Sequence, residues 1–133
     1  MVAMRKNIGI YRGKRLDSGK WVTGSLHTYD GIARILDKHD NEWYYVYPTT
    51  VGACSGVTDI NGNLIFEDDF VQVEKRVKAV IRVKDGIVVC HNGCFMIAGN
   101  KLPGVFYSLV DYSNVLRGRV IGNVHDNPEL AKE

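Results

Sequence analysis

Apolar and polar residues alternate with a period of two along most of the chain, and the alternating runs are bounded by Gly, Asn or Asp. Successive side chains of an extended strand point to opposite faces, so this pattern builds half-buried strands and denies a helix a continuous apolar stripe. The chain is therefore expected to be all-β, as a small barrel, a sandwich or two β subdomains, with at most short helices. Its 133 residues suit one domain, 1–133, with a core that needs neither disulfide nor metal.

Turn chemistry places the elements. A first strand near Ile8 to Arg12 precedes Asp17-Ser18-Gly19, and Trp21 to Leu26 reads as its hairpin partner. Asp30-Gly31 is a two-residue hairpin turn into Ile32 to Asp37, and Lys38 to Asn41 turns into the aromatic strand Glu42 to Tyr47, which Pro48 ends. Large side chains on both faces of that strand argue for a central or covered position. Thr49 to Gly56 reads as a crossing loop with one helical turn, and as the place of a possible subdomain division. Asn61-Gly62 offers the positive-φ pair of a type I′ turn.

Beyond it, Phe70 to Val73 and then Val77 to Lys84 read as strands, the second ending at the turn Asp85-Gly86. Ile87 to Cys90 and Cys94 to Ala98 flank Asn92-Gly93. Phe106 to Val110 and Arg119 to Val124 supply closing strands, and Asn127-Pro128-Glu129 starts a short terminal helix with Asn127 as its cap.

Seventeen basic and fifteen acidic side chains give a net charge of +2, too balanced to imply a polyanion partner from global charge. No apolar run nears the roughly 20 residues that cross a bilayer, and MVAMRKN lacks an apolar signal core, so a soluble, cytoplasmic protein with no membrane role is expected. The three cysteines, Cys54, Cys90 and Cys94, read as reduced thiols that act as small buried hydrophobes.

One stretch is more specific than the rest. Thr50-Val51-Gly52, Ser55-Gly56, Asp59, Asn61-Gly62, Ile65-Phe66-Glu67 and Asp69 with Val71 resemble the YopX family pattern T-V-G, T-G, D-x-N-G and I-F-E-G-D-x-V. Trp21-Val22-x-Gly24 and Val120 to Val124 with Asn127 to Leu130 are similar to its other landmarks. The resemblance implies a β-rich fold, a phage or prophage origin, a bacterial host cell and self-association; it carries no established reaction or catalytic residue. Where the family commonly has glycine between Glu and Asp this chain has Asp68, which a positive-φ turn accommodates less readily.

Candidate chemistry divides accordingly. Asp59 with Glu67-Asp68-Asp69 could offer oxygen ligands to a divalent cation, but the spacing lacks the later ligands of a calcium loop, and turn capping is the expected role. Cys90-His91-Asn92-Gly93-Cys94 has finger-like spacing without a second ligand pair, so no metal and no cofactor is expected. Histidines 27, 39, 91 and 125 are scattered, and no nucleophile elbow or P-loop exists, so no enzyme is expected. The motif residues Thr50, Gly52, Gly56, Asp59, Asn61, Gly62, Phe66, Glu67 and Asp69 are expected to be structural.

The expected function is binding or assembly through strand faces, as a homo-oligomer or on a host or phage protein. The alternative is a nucleic-acid-binding module on the basic strand 75–84, using Arg76, Lys78, Arg82 and Lys84, with Trp43, Tyr44, Tyr45 and Tyr47 as stacking platforms if they lie beside it. Those cations could equally form a solvated face that discourages edge pairing.

Overall fold

The computed structural model describes residues 9–77, 80–91, 94–99, 106–108 and 117–131; at 73–77, 80–85, 91, 94, 99, 106–108, 117–118 and 131 it describes the backbone alone. The fold is all-β, with antiparallel sheets and, among the described residues, two short 3-10 helices, Pro48–Thr50 and Pro128–Ala131. Two compact units divide the chain, Met1–Cys54 and Ser55–Glu133. Each has its own apolar core.

In the first unit, β1 (Tyr11–Lys14), β2 (Trp21–Tyr29), β3 (Ile32–Asp37) and β4 (Trp43–Val46) form an antiparallel meander in the order β4-β3-β2-β1. The start of β5 (Gly52–Thr58) pairs with β1, Ala53 opposite Tyr11 and Gly52 opposite Arg12. The β2–β3 turn is built as its dipeptide demands, with Asp30 at φ 51° and Gly31 at φ 80°. That turn fixes the register Leu26↔Ile35 and Thr28↔Ala33, and β4 continues it with Ala33↔Val46 and Ile35↔Tyr44. One face thus gathers Val22, Ala33, Ile35 and Val46 as a buried core, with Tyr11, Leu26, Tyr44 and Val51 packed against it. Burying each of the Val and Ile side chains of this core contributes about 1.5–3 kcal/mol.

Two glycines let this sheet curl. A Cβ on Gly24 would lie 1.8 Å from the Leu36 carbonyl oxygen, and one on Gly13 would lie 3.0 Å from the Val46 side chain. β4 is the last strand in the order, not a central one as its aromatic content suggests, yet its outer edge is covered. Arg15 bridges Val46, the Tyr47 N–H donates to the Lys14 carbonyl at 2.9 Å, and the Leu16 N–H donates to the Tyr45 carbonyl at 2.9 Å. These contacts bring the sheet back toward its first strand, although neither sheet closes into a barrel among the described residues.

The second unit holds the end of β5, β6 (Leu64–Phe66) beside it, and a five-stranded sheet in the order β10-β9-β8-β7-β11. The strands are β7 (Asp69–Val77), β8 (Val80–His91), β9 (Cys94–Gly99), β10 (Phe106–Ser108) and β11 (Arg117–Asn123). Ile65, Val71, Val88 and Ile97 form its core with Val57, Phe95 and Val120 against them, and Phe70 is fully buried.

Two turn expectations and one loop expectation give way. Asp85-Gly86 is not a turn but the middle of β8, with Asp85 opposite Gln72 and Gly86 opposite both Val71 and Gly99. Gly86 serves close packing, since a Cβ there would sit 2.3 Å from the Ile97 Cγ2. Asn61-Gly62 is no type I′ pair, because Gly62 alone of the two has positive φ, at 83°. Of the crossing loop expected over Thr49 to Gly56 only the helical turn is found: after the Pro48–Thr50 helix the chain enters β5 at Gly52. Cys54 is buried as expected, whereas Cys90 is exposed, against the expectation for it; the side chain of Cys94 lies outside the described residues.

Gly24→Ala is expected to destabilise the first unit by about 3 kcal/mol, because the neighbour it would strike is backbone and cannot rotate away. Urea unfolding of the two proteins checks this, and a loss below about 1 kcal/mol would show that the strands separate easily.

Candidate binding face

The alternation that fills the first core also defines what faces away from it. On β2 the positions opposite in sense to Val22 are Trp21, Thr23, Ser25, His27 and Tyr29; the register sets Lys14 opposite Trp21, Arg34 opposite His27, Ile32 opposite Tyr29, Trp43 opposite Leu36 and Tyr45 opposite Arg34. Large apolar side chains stay in solvent there: Tyr29 is 74% exposed, Ile32 56%, Tyr45 56% and Trp43 43%.

Cations lie on the aromatics of this face. The Arg34 guanidinium is 4.1 Å from the Trp43 ring centroid, and its Nε donates to His27 Nδ1 at 3.3 Å. The His27 ring meets Trp43 edge-on, with centroids 6.3 Å apart and planes at 73°. Toward the other end of β2, Arg12 sits 4.7 Å and Lys14 5.5 Å from the Trp21 centroid. Each exposed cation–π contact is worth about 0.5–1 kcal/mol, enough to limit where a long side chain spends its time. The result is a set of flat ring surfaces with positive charge held beside them.

The aromatic residues singled out from the sequence separate. Trp43 and Tyr45 belong to the outward face, whereas Tyr44 stands opposite buried Ile35 and Tyr47 leads into the Pro48–Thr50 helix. Arg15 lies 3.9 Å from the Tyr44 ring centroid and pairs with Asp17 at 2.7 Å. The Tyr44 hydroxyl donates to Asp40 Oδ2 at 2.5 Å, which holds the Asp40 carboxyl below its ordinary range and raises the phenol.

The cations singled out from the sequence do not share the one strand expected over 75–84: β7 ends at Val77, and β8 starts at Val80 paired with it. Arg76 is on β7 opposite Ile81; Arg82 and Lys84 are on β8 opposite Lys75 and Val73. Their side chains, and the whole of Lys78, are outside the described residues. The aromatic strand instead has cations of its own in the first unit. The sequence signal for Arg12, Lys14 and Arg34 is their recurrence at outward positions of adjacent strands, which only the register makes visible.

The motif residues have local structural work. Thr50 Oγ1 accepts from the Lys14 N–H at 2.9 Å and donates to the Tyr47 carbonyl at 2.6 Å, fastening the helix to the end of β1. Buried Gly52 pairs with Arg12, and Gly56 has φ 81°. Buried Asp59 organises its loop by accepting from the Asn61 N–H (2.9 Å), the Asn63 N–H (2.8 Å) and the Asn63 amide (3.3 Å), with a fourth bond from the Val120 N–H at 3.0 Å, 61 residues away. Buried Asp69 accepts from the N–H of buried Phe66 at 2.8 Å. Among the described residues no group of three or more His, Cys, Asp or Glu side chains converges on one point.

This placement bears on ancestry, since residues 11–132 match the family model described as YopX protein. The chain belongs to the YopX family. A search of curated proteins finds no match. Among the described residues no helix is long and apolar enough to cross a membrane.

The departure at Asp68 from the YopX pattern has a clear resolution. Asp68 takes φ 72°, the conformation that suits glycine, and its carboxylate lies 3.0 Å from His125 Nε2. The backbone around it is fixed on both sides: the Asp68 N–H donates to the Val88 carbonyl and its carbonyl accepts from the Val124 N–H, each at 2.9 Å. Asn123 Oδ1 accepts from the N–H groups of His125 and Asp126, and the Asn123 N–H donates to Asn127 Oδ1 at 3.2 Å. The Asn127 oxygen thus ties the C-terminal turns back to β11.

Two outcomes follow from these carboxylates. Burial pushes the Asp59 carboxyl up, but the donated hydrogen bonds, led by those of Val120 and Asn63, outweigh it and hold the pKa below the ordinary value. Its contribution to stability is therefore complete above about pH 4 and declines as pH falls through the lower folded-state value. Asp59→Asn is expected to cost roughly 1–3 kcal/mol at neutral pH and to flatten the acid side of the stability profile, as followed by urea unfolding against pH. At Asp68, replacement by Gly is expected to change stability by no more than about 1 kcal/mol, whereas Val, which has no favourable left-handed conformation, should cost about 2 kcal/mol. A Val variant as stable as the Gly variant would show that φ does not constrain this position.

Proposed function

We propose that this chain is a phage- or prophage-encoded binding protein of the bacterial cytoplasm, with no reaction of its own, and that its working surface is the outward face of β1–β4. One observation carries the reading: Tyr29, Ile32, Trp43 and Tyr45 remain exposed together on one sheet face, beside cations set on its rings. Scattered exposed apolar groups are ordinary, but a contiguous set is costly in water and marks a contact surface. The landmark residues support the same division, because Thr50, Asp59 and Asp69 bind backbone and leave recognition to other side chains. A second copy of the chain is one partner such a face could accept, in keeping with self-association in a closed homo-oligomer.

The test replaces Trp43 and Tyr45 together by Ser, with Ile60→Ser and Ile121→Ser as a control at exposed sites of the second unit. Both double variants should fold. Affinity capture from induced cells should retain a partner with the parent and control proteins and lose it with the face variant; light scattering reads the homo-oligomer the same way. Identical behaviour of the two double variants would overturn the assignment of the face.

A further inference from the structure

We propose that the outward face of β1–β4 takes single-stranded nucleic acid, an inference that rests on reading this face as the working surface. Charge favours it first. The strand positions of the face carry Arg12, Lys14 and Arg34 and include no Asp or Glu, so a polyanion is matched by the side chains present although the whole chain is near neutral. Trp43 and Tyr45 then provide exposed rings on which any base can stack, and Arg34, with its guanidinium 4.1 Å from the Trp43 ring centroid, presents a planar cation at the same place.

Spacing sets the size of the ligand. The register sets Trp43 level with Ser25, four residues along β2 from Trp21, so the two rings are separated by about 13 Å along the strand. Both can be engaged by several linked nucleotides but not by one. Bases in a duplex are already stacked and hidden, so rings on an open sheet discriminate in favour of unpaired strands. The cations could also receive an acidic protein segment, but such a segment would leave the flat rings without stacking partners.

The test is fluorescence anisotropy with labelled oligo-dT and oligo-rU of about 12 nucleotides and a duplex of mixed sequence. Binding to one or both single strands is expected, weaker on the duplex, with a log–log salt slope of about −2 from three cations. Trp43→Ala should weaken binding about tenfold, and Arg34→Gln should reduce the slope by about 0.7. Ile121→Ser should leave affinity unchanged. Absence of single-strand binding at low salt, equal affinity for duplex, or unchanged binding by both Trp43→Ala and Arg34→Gln would overturn the inference. If oligonucleotides fail but the Trp43/Tyr45 variant still loses a captured protein, this ligand is wrong and the binding face stands; if neither measurement responds to the face, both readings fall.

Discussion

The close approach of β2 to β3 at Gly24 sets the geometry of the first unit. With 1.8 Å between a hypothetical Cβ and the Leu36 oxygen, no side chain fits, and the strands there meet backbone to backbone. Gly13 makes the same allowance against Val46. The sheet can then curl until Arg15 bridges Val46, wrapping a small apolar core that includes Ile35, Val46 and Val22. Because side chains alternate, filling that interior forces Trp21, His27, Arg34, Trp43 and Tyr45 outward together. The candidate binding face is thus the reverse side of the core.

The second unit relies on buried carboxylates. Asp59 joins a loop to β11 through the Val120 N–H, and Asp69 satisfies the Phe66 N–H in a tight connection between β6 and β7. A buried backbone donor left without an acceptor costs about 1–3 kcal/mol, which explains why short acids sit where the chain turns sharply. The YopX landmarks mark these places. They specify how the chain folds back on itself, while the aromatic and basic residues of the first sheet lie largely outside them.

Local turn chemistry was a good guide where the turn stood alone. Asp30-Gly31 adopts the expected pair of positive φ values, and Ile32–Asp37 is the expected strand. It misled where a longer-range demand competed. Gly86 belongs to a packed ladder because Ile97 needs the space, and Asn61 keeps negative φ because Asp59 has already built the loop through its own side chain. Thr49 to Gly56 resembled a loop for its small residues, yet an edge of β1 was waiting to be paired, and β5 fills it. For the candidate site, Trp43 and Tyr45 were visible as aromatics. That Arg34 would be their neighbour was not.

By itself the sequence determined the extended character of the chain, the two-residue turn at 30–31, the family and the alternation of side chains along each strand, because all of these depend on neighbours in the chain. Tertiary structure alone decided which strands became edges, which residues stood opposite one another, and therefore which cation came to rest on which ring. Register is a non-local property, fixed by cross-strand pairing of cores and by the space that glycines leave. Arg12 and Trp21, or Arg34 and Trp43, are each nine residues apart in the chain, and only pairing turned them into contacts.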